Sequence, residues 1–111
     1  MVSVKPADVV IADFPGVTGV KRRPAVVLST IDYHSFHRDV ILGAITTNLA
    51  ASTTPTDHLI VDWTIAGLRR PSAFRTFLVT LPQRELIAII GHLSDSDRVA
   101  VEECVRKSIS I

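Results

Sequence analysis

Short apolar runs alternate with brief polar interruptions along most of this chain, and a helical period appears only near its C-terminus. Asp8 to Phe14 (DVVIADF) is β-branched and apolar and stops at Pro15-Gly16, which predicts a buried strand followed by a turn. Val17 to Arg23 (VTGVKRR) has a glycine, no apolar period and three consecutive cations, so it reads as an exposed loop. Pro24 to Ser29 (PAVVLS) is a second strand, with proline at the first position, where a missing N–H is tolerated. Thr30 to Arg38 suits a short helical turn or a loop. Asp39 to Thr47 (DVILGAITT) is apolar enough for a central strand, with Gly43 marking a bend or a close backbone approach.

The next segment, Asn48 to Thr56 (NLAASTTPT), is polar and contains a proline, and it is expected to be a long, mobile loop. His58 to Val61 reads as a short strand and Asp62 to Leu68 as a turn or brief helix ending at Gly67. Ala73 to Leu81 (AFRTFLVTL) has the aromatic and β-branched content of a strand. Leu86 to His92 (LIAIIGH) fits either a strand or the end of a helix, since its length does not separate the two. Ser94-Asp95-Ser96-Asp97 reads as an N-cap with acids in the first turn of a helix. That helix places Val101, Cys104, Val105 and Ser108 on one face and Arg106 and Lys107 near its end. The elements predict a mainly β fold, a small antiparallel barrel or half-barrel with a packed C-terminal α-helix.

Composition narrows this without redirecting it. The 111 residues suit one domain over 1–111, and a hydrophobic content of 47% is enough to bury a core. With Cys104 alone, neither an intrachain disulfide nor a thiolate zinc cluster can form, and Cys104 falls on the apolar helix face as a packed thiol. Met1 to Pro6 lacks the apolar stretch of a signal peptide, and no apolar run approaches the roughly 20 residues of a membrane helix. A soluble cytoplasmic protein is expected.

The net charge of +1 hides an asymmetry, because nine of the twelve basic residues are arginine and several are clustered. Lys21-Arg22-Arg23-Pro24 puts guanidinium groups next to a rigid strand, where they match phosphate geometry, but the same pattern also describes a solubilising turn. Thr46-Thr47-Asn48 places hydroxyls and an amide at a strand end, a common position for functional side chains and also simply where a strand leaves a core. Arg69-Arg70-Pro71-Ser72 with Arg75 is a second basic cluster; it forms a phosphate-tracking surface only if it shares a side with the first. His34 and His37 with Asp32 and Asp39 read as a polar loop ahead of a metal site.

Taken in order, Asp8 to Phe14, Lys21-Arg-Arg-Pro-Ala-Val-Val-Leu-Ser29 and Asp39 to Thr47 resemble the PemK/MazF family of toxin-antitoxin ribonucleases. Asp62-Trp63-x-x-Ala66-Gly67-Leu68-x-x-Pro71-Ser72-x-x-Arg75, Thr80-Leu81-Pro82 and Ile90 to Asp95 are similar to one branch of that family. The resemblance implies an SH3-like or CcdB-like β-barrel with a C-terminal helix, forming a homodimer. It also implies a metal-independent endoribonuclease that needs no cofactor, cuts single-stranded RNA and is neutralised by a small antitoxin. Carried over by motif, Arg23 and Thr46 would be catalytic together with Arg75, and Lys21, Arg22, Thr47 and Asn48 would bind RNA. The chain departs from the pattern in two places: Val17 to Val20 carries no acid, and Phe77 stands where some members have an acid after the arginine matching Arg75. The general base is therefore unassigned. Arg75 with Thr46 would have to suffice, or a histidine such as His34 or His58 would substitute, or the chain would be a weakened homologue that binds RNA or antitoxin. A CcdB-like gyrase inhibitor is a further use of the same scaffold.

Overall fold

The computed structural model describes residues 3–16 and 19–110. Six strands and two helices follow in the order β1 (Asp8–Gly16), β2 (Gly19–Val27), α1 (Ile31–Phe36), β3 (Asp39–Thr46), β4 (Asp57–Leu59), β5 (Ala73–Pro82), β6 (Ala88–His92) and α2 (Asp95–Ser108). All pairings are antiparallel, in the order β4-β5-β3-β2-β1-β6. The apolar run of β3 is explained by its position, since it is paired on both sides and buried over most of its length.

The sheet is open but strongly curled. Phe14 of β1 meets Phe77 of β5 edge to face, with ring centroids 6.2 Å apart, although two strands lie between them in the sheet. After β5 the chain crosses the concave side, where Leu86 is buried against Val10, Ala12, Val27 and Leu42, and Ile87 N–H donates to the Ile11 carbonyl. The expected barrel is thus an unclosed one, because β4 and β6 remain unpaired with each other at the two edges. The convex face carries a second core of Val9, Val26, Ile45 and Phe74, covered by Leu68, Leu93, Val101 and Cys104. Two faces can both be apolar because the curl covers one and α2 with its neighbouring segments covers the other.

Two expectations are corrected, and one that the pattern left open is decided. Lys21 to Arg23 do not lie in a loop: β2 begins at Gly19, and Lys21, Arg22 and Arg23 pair with Phe14, Asp13 and Ala12. β1 likewise runs through Pro15 to Gly16, which pairs with Gly19, whose φ of 112° only glycine adopts readily. A strand at the end of a two-stranded ribbon meets solvent, so the absence of apolar alternation did not mark a loop. Val17 and Thr18, half of the segment expected to lack an acid, lie outside the described residues.

Second, the segment from Asn48 to Thr56 is tied down. It contains a 3-10 turn at Leu49–Ala51 and a buried Ser52, its Pro55 and Thr56 carbonyls accept from Cys104 and Thr76, and Asp57 N–H donates to Thr54. Third, Leu86 to His92 resolves into a strand, Ala88–His92, because β1 offers it a free edge.

Ser94 caps the N-terminus of α2, its hydroxyl accepting from Asp97 N–H at 3.3 Å. Val101 and Cys104 are buried as the period predicts, and burial pushes the Cys104 thiol upward in pKa. Asp97 is the exception: an acid at 0% exposure, it accepts from Val61 N–H at 3.0 Å, from Asp62 N–H at 2.8 Å and shares a 2.7 Å hydrogen bond with His58. The pair fastens the far edge of the sheet to the helix. Close packing also sets the turn after β4, because a Cβ on Gly91 would lie 2.4 Å from the Ala66 carbonyl oxygen. Gly91→Ala is expected to cost about 2–3 kcal/mol, measurable as a lower denaturant midpoint with an unchanged slope.

Candidate RNA-binding groove

The register of the sheet sorts the basic residues between its two faces. Residues two apart on a strand share a face, and directly paired residues do so as well. Ala25 pairs with Ala44 and both face the concave core, so Arg23 and Thr46, one step further along each strand, emerge side by side on that same face. Lys21 pairs with the concave residue Phe14, and Arg75 lies two residues from Ala73, the partner of Thr46. Lys21, Arg23, Thr46 and Arg75 therefore share the concave face at the end of the sheet where the β1–β2 hairpin projects. Arg22 is on the opposite face, in a 3.0 Å ion pair with Asp13. The Arg22 hydrogen bond holds the Asp13 carboxyl below its usual pKa, but the pair is exposed and contributes little to stability.

A groove of about 340 Å³ opens over this end of the sheet, lined by Lys21, Arg23 and Thr46 from the concave face, by Arg22, Pro24 and Ile45 from the other, and by Thr47 and Asn48 where the chain leaves β3. Six of the seven residues singled out by the motif resemblance thus converge; Arg75 shares the face but stands outside the lining, exposed on β5. Arg23 is half-buried and its Nε is shielded from solvent without a hydrogen-bond partner. A buried donor left unpaired costs on the order of 1–3 kcal/mol, so this guanidinium is set to receive an anionic acceptor. Thr46 ends β3 with its Oγ1 accepting from Asn48 N–H at 3.0 Å, which fixes the side chain and leaves its hydroxyl proton free to donate. The Asn48 backbone therefore helps build the turn, while its side chain is exposed.

The substitute bases considered from sequence do not reach this groove. His34 is hydrogen-bonded to Ser29, near the opposite end of β3, and His58 is held by Asp97 on the convex side. Phe77, in place of an acid, packs its ring against Phe14. The lining itself contains no carboxylate or imidazole; Asp57, across from Arg75 in the β4–β5 register, has a buried carboxylate oxygen without a hydrogen-bond partner, and among the described residues no cluster of three or more metal-ligating side chains occurs. No helix among those residues is long and apolar enough to cross a membrane.

Sequence reasoning missed a second hollow of about 400 Å³ beside the first, lined in part by Arg69, Arg70, Leu68 and Ile90. The two share Pro24 and Thr47. The only sequence signal for it was the second arginine cluster, and its proximity to the first depends on the packing of Gly67 against β6.

The protein is thus of the class of small curled antiparallel sheets with a C-terminal helix, carrying at one strand end a groove in which Lys21 and Arg23 take part in no ion pair among the described residues. Residues 5–109 match the family described as PemK-like, MazF-like toxin of type II toxin-antitoxin systems, and the chain belongs to that family. Among solved structures it is similar to the Mycobacterium tuberculosis toxin MazF-mt6, with 25% identity, a TM-score of 0.74, and 91% of this chain and 94% of that one covered. A structure described as a Mtb toxin is 26% identical with a TM-score of 0.67, covering 78% of this chain and 92% of the other. An endoribonuclease in complex with its cognate antitoxin, from a mycobacterial species, has the same fold at 16% identity and a TM-score of 0.74, over 96% and 94% of the two chains. No curated protein matches the chain in sequence.

Proposed function

We propose that this chain is a toxin of a type II toxin-antitoxin system that acts as a metal-independent, sequence-specific endoribonuclease on single-stranded RNA in the cytoplasm. The observation that carries the reading is the convergence of Arg23, with its shielded and unpartnered Nε, and Thr46, fixed by Asn48, in one groove. Family membership supports the same activity, and the antitoxin held by a structural relative supports a small protein partner. A homodimer, as expected for the family, is part of this reading.

In the proposed reaction the substrate's own 2′-oxygen attacks the adjacent phosphorus, the 5′-oxygen leaves, and a 2′,3′-cyclic phosphate and a 5′-hydroxyl result. The 2′-hydroxyl gives up its proton to water as it attacks and the departing 5′-oxygen takes one from water, while the protein holds the phosphate in line and stabilises the charge that builds on it. Arg23 binds the scissile phosphate and stabilises its pentavalent transition state. Thr46 donates to a phosphate oxygen or orients the 2′-hydroxyl, Lys21 attracts a flanking phosphate, Arg22 binds one only by giving up Asp13, and Thr47 and Asn48 contact sugar or base edges. Arg75 acts from the rim as an additional cation. Dependence on the 2′-hydroxyl separates RNA from DNA as substrate.

Thr46→Val is expected to lower kcat on single-stranded RNA about 10- to 100-fold with little change in KM, while Thr46→Ser retains most of the activity. Steady-state cleavage of a labelled oligoribonucleotide checks this. Folded protein that leaves varied single-stranded RNA intact would overturn the reading. The absence of a carboxylate free to act in the lining favours one second reading, a homologue that retains RNA or antitoxin binding without turnover; RNA binding with no cleavage would identify it.

A further inference from the structure

The second hollow is built with more care than an incidental surface dip. A Cβ on Gly67 would come 2.0 Å from the Ile90 carbonyl oxygen, so the turn before Leu68 sits directly on β6 and only glycine allows it. Gly67 also has φ 80°, which turns the chain toward Arg69 and Arg70. Beyond them, Ser72 is buried and its hydroxyl donates to the Arg70 carbonyl at 2.9 Å, while Ile60 N–H donates to the Ser72 carbonyl at 3.0 Å. The two arginines therefore stand on a backbone held from both ends.

Their charge is unneutralised. Both side chains are exposed, and among the described residues neither takes part in an ion pair, whereas Arg22, Arg98 and Arg106 each do. The hollow beneath them is apolar, with Ile11, Pro24, Leu68 and Ile90 as its floor, and Thr47 supplies a hydroxyl at the boundary with the Arg23 groove. An apolar surface bordered by cations is the combination that single-stranded nucleic acid calls for, a flat base on the former and its phosphate on the latter. The volume of about 400 Å³ suits one nucleotide.

We propose that this hollow is a nucleotide subsite of the RNA groove: a base next to the cleaved bond rests on Ile11, Pro24, Leu68 and Ile90, and Arg69 and Arg70 hold its phosphate. The assignment rests on the RNA-cleaving reading above. RNA is preferred to an acidic peptide because Pro24 and Thr47 line both hollows, so a chain leaving Arg23 and Thr46 on the concave face reaches the apolar floor on the convex side by turning over this end of the sheet. The subsite makes Arg69 and Arg70 determinants of affinity and the floor a determinant of which base is accepted.

The test uses the intact protein and a short oligoribonucleotide whose sequence comes from mapping the ends of cellular RNA cut by the wild type. Arg69→Ala/Arg70→Ala is expected to lower kcat/KM about tenfold or more while cutting the same bond, and to reduce the salt dependence of binding by about one phosphate contact. Replacing each base in turn by an abasic ribose should find one position, adjacent to the cleaved bond, where the loss is large for the wild type and small for the variant. Arg69→Gln/Arg70→Gln should repeat the result with similar side-chain volume. Undiminished cleavage by both variants, or a loss that is the same whichever base is missing, would overturn the subsite; undiminished cleavage joined to weakened antitoxin binding would reassign the hollow to that protein. If the wild type itself cuts no RNA, the reading on which the subsite rests has failed instead.

Discussion

Arg23→Ala is expected to lower kcat/KM on single-stranded RNA on the order of 10³-fold while leaving the melting temperature essentially unchanged. The magnitude follows from what the guanidinium is placed to do. A preorganised donor aimed at developing charge is worth about 10²–10³ in rate, and an arginine acting on a phosphoryl transition state reaches beyond that. Its Nε is already shielded and lacks a partner, so binding the phosphate satisfies a donor that folding left open. Removing the side chain takes away an unsatisfied group, which is why stability should hold or rise slightly. Arg23→Lys should recover only a part of the activity, because an ammonium group cannot form the two parallel hydrogen bonds of a guanidinium. Cleavage kinetics beside a thermal melt separate the two effects, and equal activity of the alanine variant and wild type would remove Arg23 from the mechanism.

Asp97→Ala is expected to destabilise the fold by about 3–5 kcal/mol, enough to lower the melting temperature by more than about 10 °C. The substitution strands His58 and the N–H groups of Val61 and Asp62 in one place and removes the link between β4 and α2. The same acid carries a pH dependence. Burial pushes its carboxyl upward in pKa, but the His58 hydrogen bond and the N–H donors of Val61 and Asp62 outweigh this and hold it below the ordinary value. A depressed folded-state pKa stabilises the protein fully above the unfolded value of about 3.9, and that contribution is lost as the pH falls through the folded value. Melts of the wild type should therefore drop steeply below about pH 4, and the Asp97→Asn variant should be less stable at neutral pH and flatter across the acid range.

The strands were legible where burial decides the residue type. Asp8 to Phe14, Asp39 to Thr46 and Ala73 to Leu81 each announce themselves because one or both faces must be apolar. The cationic half of β2 did not, since a ribbon end in water imposes no alternation, and its strand character comes from pairing with β1. Arg23 and Thr46 were recognisable only as two motifs separated along the chain; their meeting is a consequence of the β2–β3 register, which local pattern does not encode. The same limit hid the His58–Asp97 pair. Ser94 and Asp97 carry a legible capping spacing, but the folding of β4 onto that cap is a tertiary event. The second hollow needed Gly67 to be seated on β6, a contact between segments that share no pattern. Phe77 is instructive in the opposite direction. Its apolar identity could be read directly, while its edge-to-face contact with Phe14, two strands away, arises only from the curl of the sheet.

The most direct test of the central claim is cleavage of one oligoribonucleotide by the wild-type protein in the presence of a metal chelator, with the product ends identified. A single cut is expected, leaving a 2′,3′-cyclic phosphate or 3′-phosphate and a 5′-hydroxyl, with no cut when the nucleotide before the bond carries a 2′-deoxyribose. Cleavage that persists at the 2′-deoxy position, or that stops on chelation, would contradict the claim.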